Sequence, residues 1–229
     1  MYPWIDLYFF KIPSFGLMVA TAFLVCHYLL KKEFQNRNLE EKIIDDIIFY
    51  AVLSAIIGSK IYYIIENSSF FLFLKNIENI FIKLFSGNLS GFILELQSLG
   101  SGLVFNGGFI CALIFIGLYV YRKKLNFLFL FDIVAPFILL GHAIGRIGCF
   151  LVGDDYGIPS NLPWALSFPN GSPPSSAYYI SQAGYELPSD MMPSEILSVH
   201  PTQIYEMIIY FSIFIYLLKL SYTRFHKFD

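Results

Sequence analysis

Residues 127–157 read FLFLFDIVAPFILLGHAIGRIGCFLVGDDYG, an apolar run that carries Asp132, His142 and Arg146 before breaking at Gly153, Asp154 and Asp155. A run of this length crosses about 30 Å of hydrocarbon only as a helix, because lipid offers no partner to an unpaired backbone group. Pro136 is expected to kink that helix. On a helical wheel Asp132, His142, Arg146 and Cys149 share an arc of about 100°, with Gly141, Gly145 and Gly148 opposite. Gly141 and Gly145 form a small-xxx-small pair that favours close approach of a neighbouring helix and turns the polar face toward a cavity. Burying an arginine at this depth costs roughly 2.5–3.5 kcal/mol on insertion scales, so Arg146 is expected to face a partner or a ligand.

The rest of the chain has the same character. Of its 229 residues 56% are hydrophobic, 19% aromatic and only 14% charged, and the mean hydropathy of +0.61 fits an integral membrane protein. A net charge of −2 without a dense basic cluster excludes nucleic acid as a partner. Cys26, Cys111 and Cys149 lie in apolar runs without metal-ligand spacing, so free thiols are expected, with no zinc or other metal and no disulfide. The N-terminal stretch lacks a compact basic region and an A-x-A-like cleavage site, which makes the first apolar run an anchor.

Apolar runs at about 12–30, 43–65, 103–121, 127–152 and 204–220 predict an all-α polytopic bundle of about five spans, a single transmembrane domain over 1–229. Lys75, Glu78 and Lys83 interrupt 70–85 at helical spacing, as in a helix lying in the interface. Basic clusters follow the first, third and fifth runs, which by the positive-inside rule puts the N-terminus outside and the C-terminus in the cytoplasm. Segments 66–102 and 153–203 are then outer segments, the second rich in Pro, Ser, Gly and Tyr, as in a loop over the outer face.

That topology gathers polar residues into one layer. Lys60, Asn106 and Arg146 come within roughly 10 Å of the outer surface, with Tyr205 and Glu206 opening the last span beside them. Lys60 reads equally as a snorkelling cation or a ligand contact. Asp154 is either the salt-bridge partner of Arg146 or a catalytic carboxylate. Gly107 and Gly108 signal close helix packing and also thin the wall beside Asn106. HPTQIYE, residues 200–206, sets His200, Gln203, Tyr205 and Glu206 at the outer mouth; capping by Thr202 accounts for only one of its polar groups.

The order of these pieces resembles the prolipoprotein diacylglyceryl transferase family. The collinear matches are IPSFGLMVATAFLV (12–25), GSKIYY (58–63), LVFNGGFICAL (103–113), GRIGCFLVGDDYG (145–157) and HPTQIYE (200–206). The family pattern around the arginine is similar to G-R-x-G-N-F-x-N-x-E-x-x-G. Here Cys149 and Val152 stand at the two asparagines and Asp154 at the glutamate. The family's HGG element, whose histidine is held essential, reads Asn106, Gly107, Gly108, and the tyrosine of its first span is Phe15. A further C-terminal segment with a functional arginine has no counterpart in these 229 residues, which suggests a divergent, shortened member.

The resemblance implies an enzyme of the bacterial cytoplasmic (inner) membrane. It would move diacylglycerol from phosphatidylglycerol to the lipobox cysteine of a preprolipoprotein, among membrane lipids and without a cofactor. On that reading Arg146, Asp154 and His200 are the catalytic candidates. Lys60, Asn106, Gly107, Gly108, Gln203, Tyr205 and Glu206 are the substrate-binding candidates. Asparagine cannot take up a proton as histidine does, so Asn106 also admits a catalytically lapsed paralogue that binds phospholipid or lipoprotein precursor. A third reading is a small transporter with His142 and Asp132 as a proton relay.

Overall fold

Apolar helices carry this protein, as lipid solvation requires. The structure, a computed structural model, describes residues 2–7, 10–66, 70–88, 91–92, 104–188 and 190–225. Much of the expected outer segment 66–102, the start of the third expected span at residue 103, and Lys227 lie outside them. Among the described residues four helices are long and apolar enough to cross a membrane: α1 (Ser14–Asn36), α2 (Lys42–Glu66), α5 (Phe127–Val152) and α7 (Thr202–Phe225). Between α2 and α5 lie α3 (Phe70–Phe85) and α4 (Phe105–Arg122). At 16 residues α3 is about 24 Å long and too short to span. The third expected span is a shorter apolar helix, and several long apolar helices make the chain a multi-pass helical membrane protein. The chain divides into two compact units, Met1–Leu39 with Phe129–Asp229, and Glu40–Leu128.

In the first unit, β1 (Trp4–Leu7) and β2 (Phe10–Pro13) form an antiparallel hairpin with Trp4 opposite Pro13. The sequence reading began the first span at residue 12, but helix starts only at Ser14. Pro13 disfavours helix at Ile12 and itself sits in extended backbone (φ −65°, ψ 125°). Ser14 is fully buried, and its N–H and Oγ both donate to Pro3 O, at 3.0 and 3.2 Å. Tyr2 N–H donates to Leu151 O at 2.9 Å, tying the hairpin to the end of α5.

α1 packs on α5 through Cys26 Sγ, which lies 3.1 Å from Phe137 O, and through Gly148, where a Cβ would meet Phe15 and Met18 at 3.1–3.3 Å. The expected Gly141–Gly145 pair is not the tight point. Gly141 makes ordinary contact with Cys26, and nothing described comes within 4 Å of a Cβ on Gly145. Pro136 lies inside α5, which is assigned as one helix from Phe127 to Val152. α7 runs antiparallel to α5, with ring contacts Phe137–Phe214 (5.8 Å) and His142–Tyr210 (5.5 Å). At the far end a buried pair, Arg37 Nη2 to Glu33 Oε1 at 2.6 Å, receives Tyr222 OH and reaches Ser221 Oγ. Arg37, read from sequence as a topological charge, is therefore a packing element.

The described residues of 153–203 pack around a small core of Phe168, Ile180 and Val199, with Tyr156 stacked on Phe168 at 5.3 Å. β3 (Leu166–Ser167) pairs with β4 (Ser198–Val199), and α6 (Ala177–Gln182) packs through Ala177 and Ile180.

In the second unit α2 and α4 meet along a glycine seam. A Cβ on Gly58, Gly107 or Gly108 would come within 3.0 Å of atoms of the facing helix, among them Cys111, Tyr62 and Ser59 respectively. Tyr119 OH donates to Asp46 Oδ2 at 2.8 Å, closing the other end of the seam. Because backbone atoms form part of that wall, Gly107→Val should destabilise the protein by about 1–3 kcal/mol. Gly117→Ala, on the same helix with nothing described within 4 Å, should be neutral or stabilising; thermal unfolding of both variants in detergent checks the contrast.

Candidate active site

α5 ends where its sequence turns from apolar to Gly-Asp-Asp. Gly153 adopts φ +76°, and the N–H groups of Gly153 and Asp154 both reach Cys149 O, at 2.8 and 3.2 Å, which closes the last turn. The chain then passes close to the start of α7. Gly157 N–H donates to His200 O at 2.8 Å, and a Cβ on Gly157 would meet Thr202 Cγ2 at 2.8 Å. Thr202 Oγ1 donates to Asp155 O at 2.5 Å, which ties the Asp-Asp turn to α7. Gln203, fully buried, donates from Nε2 to Asp154 O.

Arg146 is held from two directions. Its Nε and Nη2 lie 2.9 and 2.7 Å from Glu206 Oε2, an oxygen that also accepts from Tyr210 OH at 3.2 Å. Its Nη1 lies 2.8 Å from Asp155 Oδ2 and 3.6 Å from Cys149 Sγ. Of the two readings of Asp154, the salt bridge to Arg146 goes to its neighbour, because the left-handed backbone at Asp155 (φ +52°) aims that side chain back at the helix. The two carboxylates differ: the Glu206 side chain is 33% exposed and that of Asp155 64%.

Asp154 is in a different state. Its Oδ1 is buried without a hydrogen-bond partner among the described residues. Burial pushes its carboxyl above the ordinary value, the charge of Asp155 adds to this, and Cys149 and Arg146 pull the other way. Beyond it, Trp164 Nε1 donates to Tyr205 OH at 2.7 Å, and the same phenol lies 3.1 Å from His200 Nδ1. Beside Asp155 a cavity of about 250 Å³ opens between Tyr156, Ile158, Pro173, Tyr179 and Tyr185.

Ligand atoms of Cys149, Asp154 and Asp155 lie within 4.8 Å of one another, a grouping that could suit a metal. The Arg146 guanidinium lies against the same group, bonded to Asp155 and touching Cys149.

The family model described as prolipoprotein diacylglyceryl transferase matches residues 4–229. The chain belongs to this family. Among the similar relatives, a protein of Prochlorococcus marinus subsp. pastoris is 30% identical over 97% of this chain and 69% of its own length. One of Clostridium tetani is 32% identical over 94% and 72%. One of Thermotoga petrophila is 28% identical over 96% and 66%. All three are named phosphatidylglycerol–prolipoprotein diacylglyceryl transferase, and the chain spans about two thirds of their length.

Of the candidates read from sequence, Arg146, Asp154, His200, Gln203, Tyr205 and Glu206 all fall in the first unit around the α5–α7 junction. Lys60, Asn106, Gly107 and Gly108 belong to the second unit. There Gly107 and Gly108 line the α2–α4 seam, Asn106 is exposed, and Lys60 Nζ lies 5.2 Å from the Tyr63 ring centre. Asp155, Tyr210 and Trp164 were missed. Adjacency to Asp154 was the signal for Asp155, and an i,i+4 offset from Glu206 was the signal for Tyr210.

Two outcomes follow from this geometry. Glu206→Gln should cost about 1–3 kcal/mol in unfolding experiments, since it weakens the inner partner of Arg146, whereas Asp155→Asn should cost less than about 1 kcal/mol at its exposed edge. The raised carboxyl of Asp154 contributes stability below the ordinary carboxylate range, and that contribution is lost as pH rises through its folded value. Asp154→Asn should therefore gain melting temperature over the parent near pH 7, and the difference should shrink as pH falls to about 4.

Proposed function

We propose that this chain transfers diacylglycerol from phosphatidylglycerol to the cysteine thiol of a prolipoprotein, the activity named for its relatives. The observation that carries this reading is a guanidinium at the end of a membrane helix, fixed on one edge by Glu206 and open to solvent on the Asp155 edge. Such a fork suits a phosphate diester. Arg146 would grip the donor phosphate and stabilise the charge that builds on the leaving glycerol phosphate.

Asp154 is the proton acceptor of choice. A carboxylate raised by burial lies closer to a thiol in basicity than an ordinary one, and general-base catalysis gains from that match. When Tyr205 donates to Nδ1, His200 keeps its proton on Nε2 and serves the headgroup as a donor. The acceptor thiolate attacks the glycerol carbon, the S–C bond forms as the C–O bond to phosphate breaks, and the thiol proton stays on Asp154 until solvent takes it. Gln203 positions Asp154 through its carbonyl. Tyr205 and Glu206 act beside the headgroup, the first by orienting His200 and the second by orienting Arg146. The aromatic-walled cavity next to Asp155 suits apolar side chains flanking the acceptor cysteine of the lipobox peptide.

Lys60, Asn106, Gly107 and Gly108 are proposed to serve the lipid. For the two glycines this means letting α2 and α4 pack closely enough to present their polar neighbours. The whole chain is proposed to act as one transmembrane domain, with the N-terminus outside and the C-terminus cytoplasmic. The basic residues Lys31 and Lys32 near the end of α1, and Arg122 to Lys124 after α4, support that orientation. No finding favours the lapsed binder, and the relatives' names favour the enzyme.

With purified protein, phosphatidylglycerol and a lipobox peptide, Arg146→Ala should lower the rate of thioether formation by about 10²–10³-fold, while Arg146→Lys should keep part of it. Transfer by Arg146→Ala at the parental rate would mean that Arg146 is not the phosphate site.

A further inference from the structure

We infer that Asp155 is a built-in occupant of the anion position on Arg146, a carboxylate that the donor phosphate displaces and that returns to help expel the glycerol phosphate product. The inference rests on the reading of Arg146 as the phosphate site and adds a positioning residue to it.

Three observations carry it. The first is the division of the guanidinium. Nε and Nη2 both bond Glu206 Oε2, whose side chain is two-thirds buried and also accepts from Tyr210, so that edge is held within the α5–α7 contact. Nη1 meets Asp155 Oδ2 at 2.8 Å on the exposed edge. An incoming anion therefore meets Asp155 first.

The second is the strength of the contact. The Asp155 side chain is 64% exposed against 24% for Arg146, so solvent screens the pair from the Asp155 side and weakens it. A phosphate diester can bring two oxygens to the Nη1 side of the guanidinium, where Asp155 offers Oδ2, so it forms more charge-assisted bonds than it displaces.

The third is what stays still. The backbone of Asp155 is fixed by Thr202 Oγ1 on its carbonyl at 2.5 Å, and the chain on either side by Gln203 on Asp154 O and by Gly157 N–H on His200 O at 2.8 Å. Displacement therefore needs only a side-chain rotation away from Arg146, with no rearrangement of the loop. With Glu206, Asp154 and Asp155 around one guanidinium, an anion arriving without that rotation would face like charges.

The test uses the full chain in non-ionic detergent and equilibrium binding of short-chain phosphatidylglycerol and, separately, of free glycerol phosphate. Asp155→Asn keeps the left-handed backbone, which asparagine tolerates as aspartate does, and removes the charge. Both dissociation constants should fall by about 1.5- to 5-fold, with Asp155→Glu close to the parent. In turnover, the gain should appear as a lower KM for the lipid, without a matching rise in kcat. Unchanged or weaker lipid binding by Asp155→Asn, at parental melting temperature, overturns the inference. Tightening for the lipid but not for glycerol phosphate overturns its product-release half. Arg146→Gln separates the two layers: if it binds lipid as the parent does, the phosphate reading falls and this inference with it. If Arg146→Gln weakens binding and Asp155→Asn does not strengthen it, only the role of Asp155 falls.

Discussion

A guanidinium cannot rest unpaired among apolar side chains, and Arg146 meets that constraint by drawing two carboxylates from different parts of the chain. Glu206 comes from the first turns of α7, and Asp155 from the turn that ends α5. The helix pair and the turn are arranged around this demand. α7 lies against α5 in the register that sets Phe214 on Phe137, Tyr210 on His142 and Glu206 on Arg146. The turn is held by Thr202 and Gln203, two α7 side chains that donate to the carbonyls of Asp155 and Asp154. Fold and site thus share one set of bonds in this unit.

The outer segment follows from the same logic. A loop of this length over a membrane protein needs its own apolar core to remain ordered, and Phe168, Ile180 and Val199 provide one. That core rests on Phe150 and Tyr156, the residues just before and after the Asp-Asp turn. Order in the loop and the position of the carboxylates are therefore coupled through packing. In the second unit a different economy holds. Glycines at 58, 107 and 108 bring two helices together where lipid gives them no hydrophobic reason to associate, leaving dispersion between closely spaced backbones as the adhesive force.

Membership of the transferase family sits with both units, since the family match covers residues 4–229. Cys149 and Asp154 stand where the family pattern carries asparagine and glutamate. Cys149 contacts Arg146 and Asp154 remains a carboxyl beside it, so both substitutions lie within the charged cluster.

Much of this was legible in the sequence. Run length and composition dictated membrane helices, since a backbone in lipid has no other way to satisfy its hydrogen bonds. An arginine inside the fourth apolar run marked the candidate site, and HPTQIYE supplied the residues that pack against it. What the sequence left open was pairing. Asp154 and Asp155 are adjacent and chemically alike, and only the left-handed turn, fixed by Thr202, decides that the second reaches Arg146 while the first keeps its Oδ1 buried. Glu206 looked like a ligand contact because linear spacing cannot show that α7 runs antiparallel to α5 at the register that aims it at the guanidinium. Arg37 counted in the sequence only as one of the basic residues after the first run, and only tertiary packing closes Glu33 and Tyr222 around it. Periodicity fixes which face of a helix a residue occupies. Contacts between segments about sixty residues apart, as for Arg146 and Glu206, depend on packing, which only the tertiary structure decides.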